Sequence, residues 1–520
     1  MECEKKEFVV YQQGADIEDQ FYLDEDFNVP DMKRDVQSVI MSEGKVCVEE
    51  MKRVENYVRV SGKMTFKVLY VTDEGERKIT SLEGKIPFEE MVYTEKEPGE
   101  NLFMKNAGAE VFVQVIHSRK LNVKACIDLL LSSDGRREES FMVNMENNGE
   151  SLHKRHKEQK ILRLDGIKKD TYRIKEEFSI GGTKETIGTL VWSNVICRKL
   201  DTRVTADEIL MQGELLVFVL YESVDGKTDW IEQCIPYQGK MNCYGATDSM
   251  YHEIYPDMND ISIDIRMNED GEMRVLYVEA TLEMRVILYE EETVRILDDV
   301  YSLEKECLIE REEKKMEQLL MQNHIKCKVS EKLSLPEIKD DILQICHSSA
   351  RVQIDQTEVV EQGVLLEGTL HVNFLYVKPD DTVPFDVWQG MVPFSCVIES
   401  NETSEDMICN LQGTVEQLSI GLLGNDEIEV KAVAAIWGFM KKPVVIQNIE
   451  NITLKPMDIK AQEKMPGIIG YIVKNGDNLW DLAKKYKTTM ESIAEVNHLE
   501  KMELKNGQKI LIFRENISIL

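Results

Sequence analysis

Basic charge is scarce in this chain: 63 Lys and Arg stand against 95 Asp and Glu, a formal net charge of −32 over 520 residues. Such a body repels phosphate backbones and anionic bilayers, which argues against nucleic-acid binding and polybasic membrane docking. Long apolar runs are missing too. The stretch Leu215 to Tyr221 is far short of the ~20 residues needed to span a bilayer, so no membrane insertion is expected. The start, Met1 to Glu7, has no apolar run behind a basic cluster, so no secretory signal is read there. The 12 prolines and 29 glycines are too few for a collagen-like or low-complexity chain. The eleven cysteines run from Cys3 to Cys409 without a Cys-x-x-Cys pair. An odd number so spread suits neither a disulfide framework nor a zinc ribbon, and implies reduced, mostly buried thiols.

Catalytic patterns are also lacking. No Gly-x-Ser-x-Gly, His-Glu-x-x-His or Walker-type Gly-x-x-x-x-Gly-Lys-Ser/Thr motif occurs, and the eight histidines are scattered. Gly181-Gly182-Thr183-Lys184 lacks the first glycine of a phosphate loop. The pair His153 and His156 has no cysteine or carboxylate partner for a metal, and Cys346 and His347, being adjacent on a strand, point to opposite faces. The expectation is a protein that is not an enzyme, with no cofactor and no metal site.

What is present is a repeat of about 150 residues. Gly62, Gly213 and Gly368 are each followed eight residues later by a tyrosine, Tyr70, Tyr221 and Tyr376. Alternate positions before each tyrosine are apolar or glycine, as in Val58, Val60, Gly62, Met64, Phe66 and Val68, the period of a strand with one buried face. About thirteen residues is long for one strand, so the shared glycine is where a bulge or bend should divide it. Pro87-Phe88, Pro236-Tyr237 and Pro393-Phe394 recur in register, and the tyrosines and prolines read as core and turn residues. Val29-Pro30 and Leu335-Pro336 also correspond, whereas the middle copy has Ile180-Gly181-Gly182. Near each end a hairpin is legible, at Ser118-Arg119-Lys120, Asn268 to Gly271 and Gly424 to Glu427.

The resulting expectation is a multidomain, mainly β protein with three tandem antiparallel, sandwich-like repeats. The expected divisions are a tail 1–19, repeats 20–135, 171–300 and 326–445, a charged linker 136–170, a linker of helical pattern 301–325 and a third linker 446–467. The first linker holds the most basic tract of the chain, His153-Lys154-Arg155-His156-Lys157.

Residues 468–514 form a different unit. Gly470 to Lys474 suits a short strand, Asn475-Gly476-Asp477 a turn, and Asn478 a helix N-cap. Leu479, Leu482, Ala483 and Tyr486 follow at helical spacing, Thr488 or Thr489 can cap a second helix, and Lys509 to Phe513 can close the unit as a strand. The order is β-α-α-β. Val473, Gly476, Asp477, Leu479, Leu482, Ala483, Asn497, Leu499, Gly507, Gln508 and Ile510 together resemble the LysM domain pattern. Two positions depart from it: Asn478 stands where family members commonly have Thr, and Lys487 where they have Gly.

That resemblance implies a shallow groove for N-acetylglucosamine glycans between the loops Gly476-Asp477-Asn478-Leu479 and Lys505-Asn506-Gly507. The candidate partner- or glycan-binding residues are therefore Gly476, Asp477, Asn478, Leu479, Trp480, Lys505 and Asn506. Trp480 follows the packing residue Leu479 on the helix and is the candidate exposed anchor.

Three β-rich repeats and one LysM are similar to the SPOCS-domain spore-coat proteins of clostridia, of the SipL type. This similarity implies a mother-cell cytoplasmic adaptor at the forespore surface and later in the spore coat. Its LysM would bind the coat-basement morphogenetic ATPase of stage IV sporulation, and other coat proteins could join. The alternative is a glycan-binding, peptidoglycan-associated wall protein.

Overall fold

A computed structural model describes residues 2–72, 79–94, 99, 101–146, 151–338, 341–380, 383–424, 427–457 and 466–514. The first repeat comprises β1 (Glu2–Gln13), β2 (Ile17–Asn28), β3 (Val36–Val54), β4 (Tyr57–Thr72), β5 (Ile79–Tyr93), β6 (Asn101–His117) and β7 (Lys120–Glu146). The second comprises β8 (Leu152–Ser179), β9 (Ile187–Thr205), β10 (Glu208–Ser223), β11 (Thr228–Asn242), β12 (Tyr251–Met267) and β13 (Met273–Ser302). The third comprises β14 (Lys305–Ser334), a 3-10 turn Pro336–Ile338, β15 (Gln344–Val360), β16 (Gly363–Val377), β17 (Phe385–Glu399), β18 (Ile408–Gly424) and β19 (Glu427–Pro456). In each repeat a three-stranded sheet (β3-β4-β5, β9-β10-β11, β15-β16-β17) packs on a second antiparallel sheet built around β7, β13 or β19. This is the expected antiparallel, sandwich-like β architecture.

The repeated glycines do not divide their strands: β4, β10 and β16 run through them unbroken. The extra residue sits on the neighbouring strand instead, at the register shifts Val48/Glu50 and Ile354/Gln356 and opposite Gly213. Across the other neighbour each glycine faces the aromatic of the Pro-aromatic pair, Phe88, Tyr237 or Phe394. A Cβ on Gly213 would lie 2.5 Å from the Tyr237 hydroxyl, and one on Gly368 2.8 Å from the Phe394 ring. The glycine makes room for the ring and, in the first and third repeats, for a still closer carbonyl of the bulged neighbour, Cys47 at 2.3 Å and Gln353 at 2.5 Å from such a Cβ. The following tyrosines are fully buried, and Tyr70 and Tyr221 each donate to a carbonyl 36 residues earlier, Arg34 at 3.1 Å and Glu185 at 3.2 Å.

The expected tail and linkers are mostly strand where they are described; residues 458–465 of the third linker lie outside the described residues. β1 pairs along its length with β7, so residues 2–13 are no tail. The 136–170 segment is shared between the end of β7 and the start of β8 (147–150 lie outside the described residues). The helical pattern of 301–325 is also overruled, because β14 pairs with β19 from Lys305 to Ser334, and β19 carries strand through 446–456. The physical reason is partnership. Charged residues lie on the outer side of these strands, while Ile161, Val294, Ile296, Met316 and Ile446 alternate inward.

These extensions form three two-stranded ribbons, β1–β7, β8–β13 and β14–β19, each touching the other two. The result is a three-sided prism ~40 Å long at ~3.3 Å per residue. Its interior holds Phe8, Phe141, Ile161, Ile296, Met316 and Ile446, with Met142, Met145, Val300 and Ile452 near the free end. At the other end of the molecule the outer faces of the three-stranded sheets meet around Leu69, Trp192, Phe218, Leu220, Leu375 and Phe385.

Where prism meets repeats, charged groups from all three repeats are buried together. Arg285 pairs with Asp134, which also accepts from Tyr11 (3.1 Å) and Asn101 (3.1 Å). Glu253 accepts from Tyr289 (2.7 Å), Tyr255 (3.1 Å) and Asn410 (2.8 Å). Lys441, 0% exposed, lies 2.8 Å from Glu317 and over the rings of Tyr11 and Tyr289. Burial, followed by the neighbouring Glu253 charge, holds Tyr255 and Tyr289 protonated far above the usual phenol range.

The contact between repeats 2 and 3 should weaken in acid. His252 lies 2.7 Å from the Thr202 hydroxyl, and its backbone N–H donates to Gln322 of β14 at 3.2 Å. Burial lowers the His252 pKa to about 4, and burial also lowers that of His324, stacked on Trp437. A folded pKa below the unfolded one means the unfolded chain binds more protons between the two values. The stabilisation is complete above about 6.5 and is lost as the pH falls towards 4, up to roughly 3 kcal/mol for His252. Denaturant midpoints should fall across this window, and His252→Gln should flatten the fall; an unchanged slope in the variant would refute the assignment.

Candidate interaction site

The C-terminal module consists of β20 (Ile468–Ile472), α1 (Leu479–Tyr486), α2 (Met490–Val496) and β21 (Lys509–Phe513). Asn478 is the N-cap of α1, its side-chain oxygen accepting from the Asp481 N–H at 2.9 Å, and Thr489 caps α2 by accepting from Ser492 at 3.0 Å. Lys487 ends α1 in the left-handed conformation at φ 56°, which explains why glycine is the common residue there. Asp477 accepts from the Lys474 N–H and the Tyr471 hydroxyl, both at 2.8 Å, and these bonds hold its carboxyl below the ordinary range. The two candidate loops lie side by side, joined by Gly507 N–H to Val473 O and Val473 N–H to Gln508 O.

Of the candidate residues, Gly476, Asn478, Lys505 and Asn506 are exposed and Asp477 is half-buried. The N–H groups of Lys474, Asp477, Lys505, Gly507 and Gln508 are spent on bonds inside the module. Leu479 is not a surface residue but part of the core with Leu482, Ile493 and Ile510.

Trp480 is likewise not free. It is buried against the free end of the prism, where its indole N–H donates to Asp299 of β13 at 2.8 Å. Its ring meets Tyr301 edge-on at 4.9 Å, and the Arg155 guanidinium of β8 lies 5.5 Å from its centre. Lys484, one turn on, donates to the same carboxylate at 2.7 Å, and the Tyr301 hydroxyl donates to Thr488 O at 3.0 Å. Burial opposes ionisation of Asp299, but the Lys484 ammonium and the Trp480 N–H outweigh it and hold its pKa below the usual carboxylate value.

Asp299, Tyr301 and Arg155 were not among the sequence candidates. The signal the sequence does carry is the basic tract 153–157 in an otherwise acidic chain, and the expectation of a charged linker there hides the strand that brings Arg155 to Trp480.

Among the described residues, none covers the module's other side. Ile468, Gly470 and Ile472 on β20 and Leu511 and Phe513 on β21 face away from the helices, at 60% exposure for Ile468, 59% for Ile472, 48% for Leu511 and 38% for Phe513. The alternate residues Ile469, Tyr471, Ile510 and Ile512 pack inward, so this two-stranded sheet is apolar on both faces.

Among known families, the chain matches the one described as SipL, SPOCS domain, three times, over residues 35–117, 186–266 and 341–423. It matches the LysM domain over residues 471–513. No curated protein and no solved structure matches it. Each SPOCS match covers a three-stranded sheet and the next strand, and it stops before the long return strands that build the prism. With three SPOCS domains in tandem and one LysM behind them, the chain belongs to the SipL type of SPOCS-domain protein, a family with roles in sporulation and the spore coat.

Proposed function

We propose that this protein is a non-enzymatic adaptor of spore-coat assembly, working in the mother-cell cytoplasm at the forespore surface. Its LysM domain binds the coat-basement morphogenetic ATPase of stage IV sporulation. The SPOCS domains offer further faces to other coat proteins, so that linked contacts gain strength through effective concentration. The observation that carries the reading is the exposed apolar face of Ile468, Ile472, Leu511 and Phe513, a surface suited to another protein rather than to a polar sugar. The use of loop N–H groups inside the module also speaks against the glycan alternative, which needs such donors for the acetamide.

Full-length protein would be titrated against the purified ATPase and, separately, against peptidoglycan sacculi. Ile468→Asp and Leu511→Asp should each weaken ATPase binding at least tenfold without lowering the melting temperature. Retention on sacculi with no ATPase binding would establish the glycan reading instead.

A further inference from the structure

The third SPOCS domain carries a pair of cysteines in a place where the other two domains have none. On the long strands, Ala125, Ala280 and Ala432 are equivalent, and two residues later Ile127, Leu282 and Ala434 pair with Phe21, Tyr172 and Cys327. Counting three residues on from the repeated prolines gives the facing positions on the smaller sheet, Glu90, Gly239 and Cys396. In the second domain these two positions touch directly, since a Cβ on Gly239 would lie 2.6 Å from the Tyr172 ring. In the third domain the Cys327 Sγ lies 3.8 Å from the carbonyl oxygen of Ser395, the residue before Cys396, and the Cys327 thiol adds to burial in raising the Cys396 pKa.

The strands concerned are both edges. β14 borders the sheet β14-β19-β18 and β17 borders β15-β16-β17, so the pair sits where the two sheets of the sandwich are held by packing alone.

We propose that Cys327 and Cys396 are a latent disulfide site, which an oxidant of the small-molecule disulfide class converts into a covalent link between the two sheets of the third SPOCS domain. Cys396, the less buried of the two, reacts first. It loses its proton, and its sulfur attacks one sulfur of the small disulfide. The S–S bond of the reagent breaks and one small thiol leaves with that proton. The Cys327 sulfur, deprotonated in turn, then displaces the second small thiol from Cys396. Two protein thiols are oxidised to one disulfide, and one small disulfide is reduced to two thiols. The link closes a loop of about 70 residues, a length at which a cross-link strongly restricts the unfolded chain.

The site is slow by construction. Burial pushes the Cys396 thiol up to about 12, so little thiolate exists near neutral pH. Exchange should quicken about tenfold for each pH unit between 7 and 9. The third domain thus stays open in a reducing compartment and is closed on prolonged exposure to an oxidising one. This inference is independent of the adaptor reading.

The test uses the full-length chain with the exposed Cys3 and Cys234 changed to Ser, held native in excess hydroxyethyl disulfide, then denatured, alkylated and mapped by mass spectrometry. The expected result is a loss of two thiols, a Cys327–Cys396 linked peptide and no retained reagent. Cys327→Ser should instead keep one reagent group on Cys396, because the resolving thiol is gone. Unchanged thiol numbers, a stable mixed disulfide on Cys396 with Cys327 present, or linkage between other cysteines would each overturn the proposal.

Discussion

Arg285→Ala should lower the stability of the three-domain body by about 3–5 kcal/mol, read from denaturant unfolding of the full chain. Asp134 is completely buried and would lose the guanidinium that balances it, keeping, among the described residues, the neutral donors Tyr11 and Asn101. A buried carboxylate in that position either remains charged without compensation or takes up a proton, and both routes cost stability. Asp134 belongs to the first domain, Arg285 to the second and the adjoining Lys441 to the third, so the loss should loosen all three together rather than melt one. Arg285→Met combined with Asp134→Leu should recover most of the loss, because no unbalanced charge is left and only the neutral donors Tyr11 and Asn101 lose their acceptor. A double variant as unstable as the single one would mean that the pair contributes through shape rather than charge balance.

Asp299→Ala should release the LysM domain from the prism while leaving it folded. The carboxylate is the shared acceptor for the Trp480 indole and Lys484, and hydrogen bonds to a charged group contribute about 1.5–3 kcal/mol each. Loss of the Trp480 bond alone, about 2 kcal/mol, should quicken hydrogen exchange at the indole roughly thirtyfold, measurable by NMR, with a widened scattering envelope. Trp480→Ala should be more severe, about 3–5 kcal/mol, because the ring also packs on Tyr301 and in the LysM core. The two variants separate docking from partner capture. If the partner binds the outer face of β20 and β21, Asp299→Ala retains capture; if it needs Trp480, the same variant strengthens capture by exposing the indole. An indole still protected in Asp299→Ala would refute the docking role of that carboxylate.

Local signals made much of this legible. The alternation around Gly62, Gly213 and Gly368 identifies three equivalent strands, because a half-buried strand needs only its own residues to show its period. The β-α-α-β order of the last fifty residues and the cap at Asn478 were likewise written in short spacings. The glycine's purpose was not legible, since it depends on which ring the neighbouring strand lays across it, Phe88, Tyr237 or Phe394.

The sequence by itself determined three β repeats, a small α+β end module and an acidic exterior, all features set within a few residues of one another or by composition. Tertiary structure alone decided that residues 2–13 and 301–325 are strand rather than tail and helix, that three ribbons close into a prism, and that Trp480 lies against Asp299 instead of facing solvent. Strand partners such as Glu2 and Glu146, or Lys305 and Pro456, are separated by well over a hundred residues. Whether an alternating or charged segment is strand, helix or linker depends on the partner that satisfies its backbone, and no local pattern carries that partner's identity.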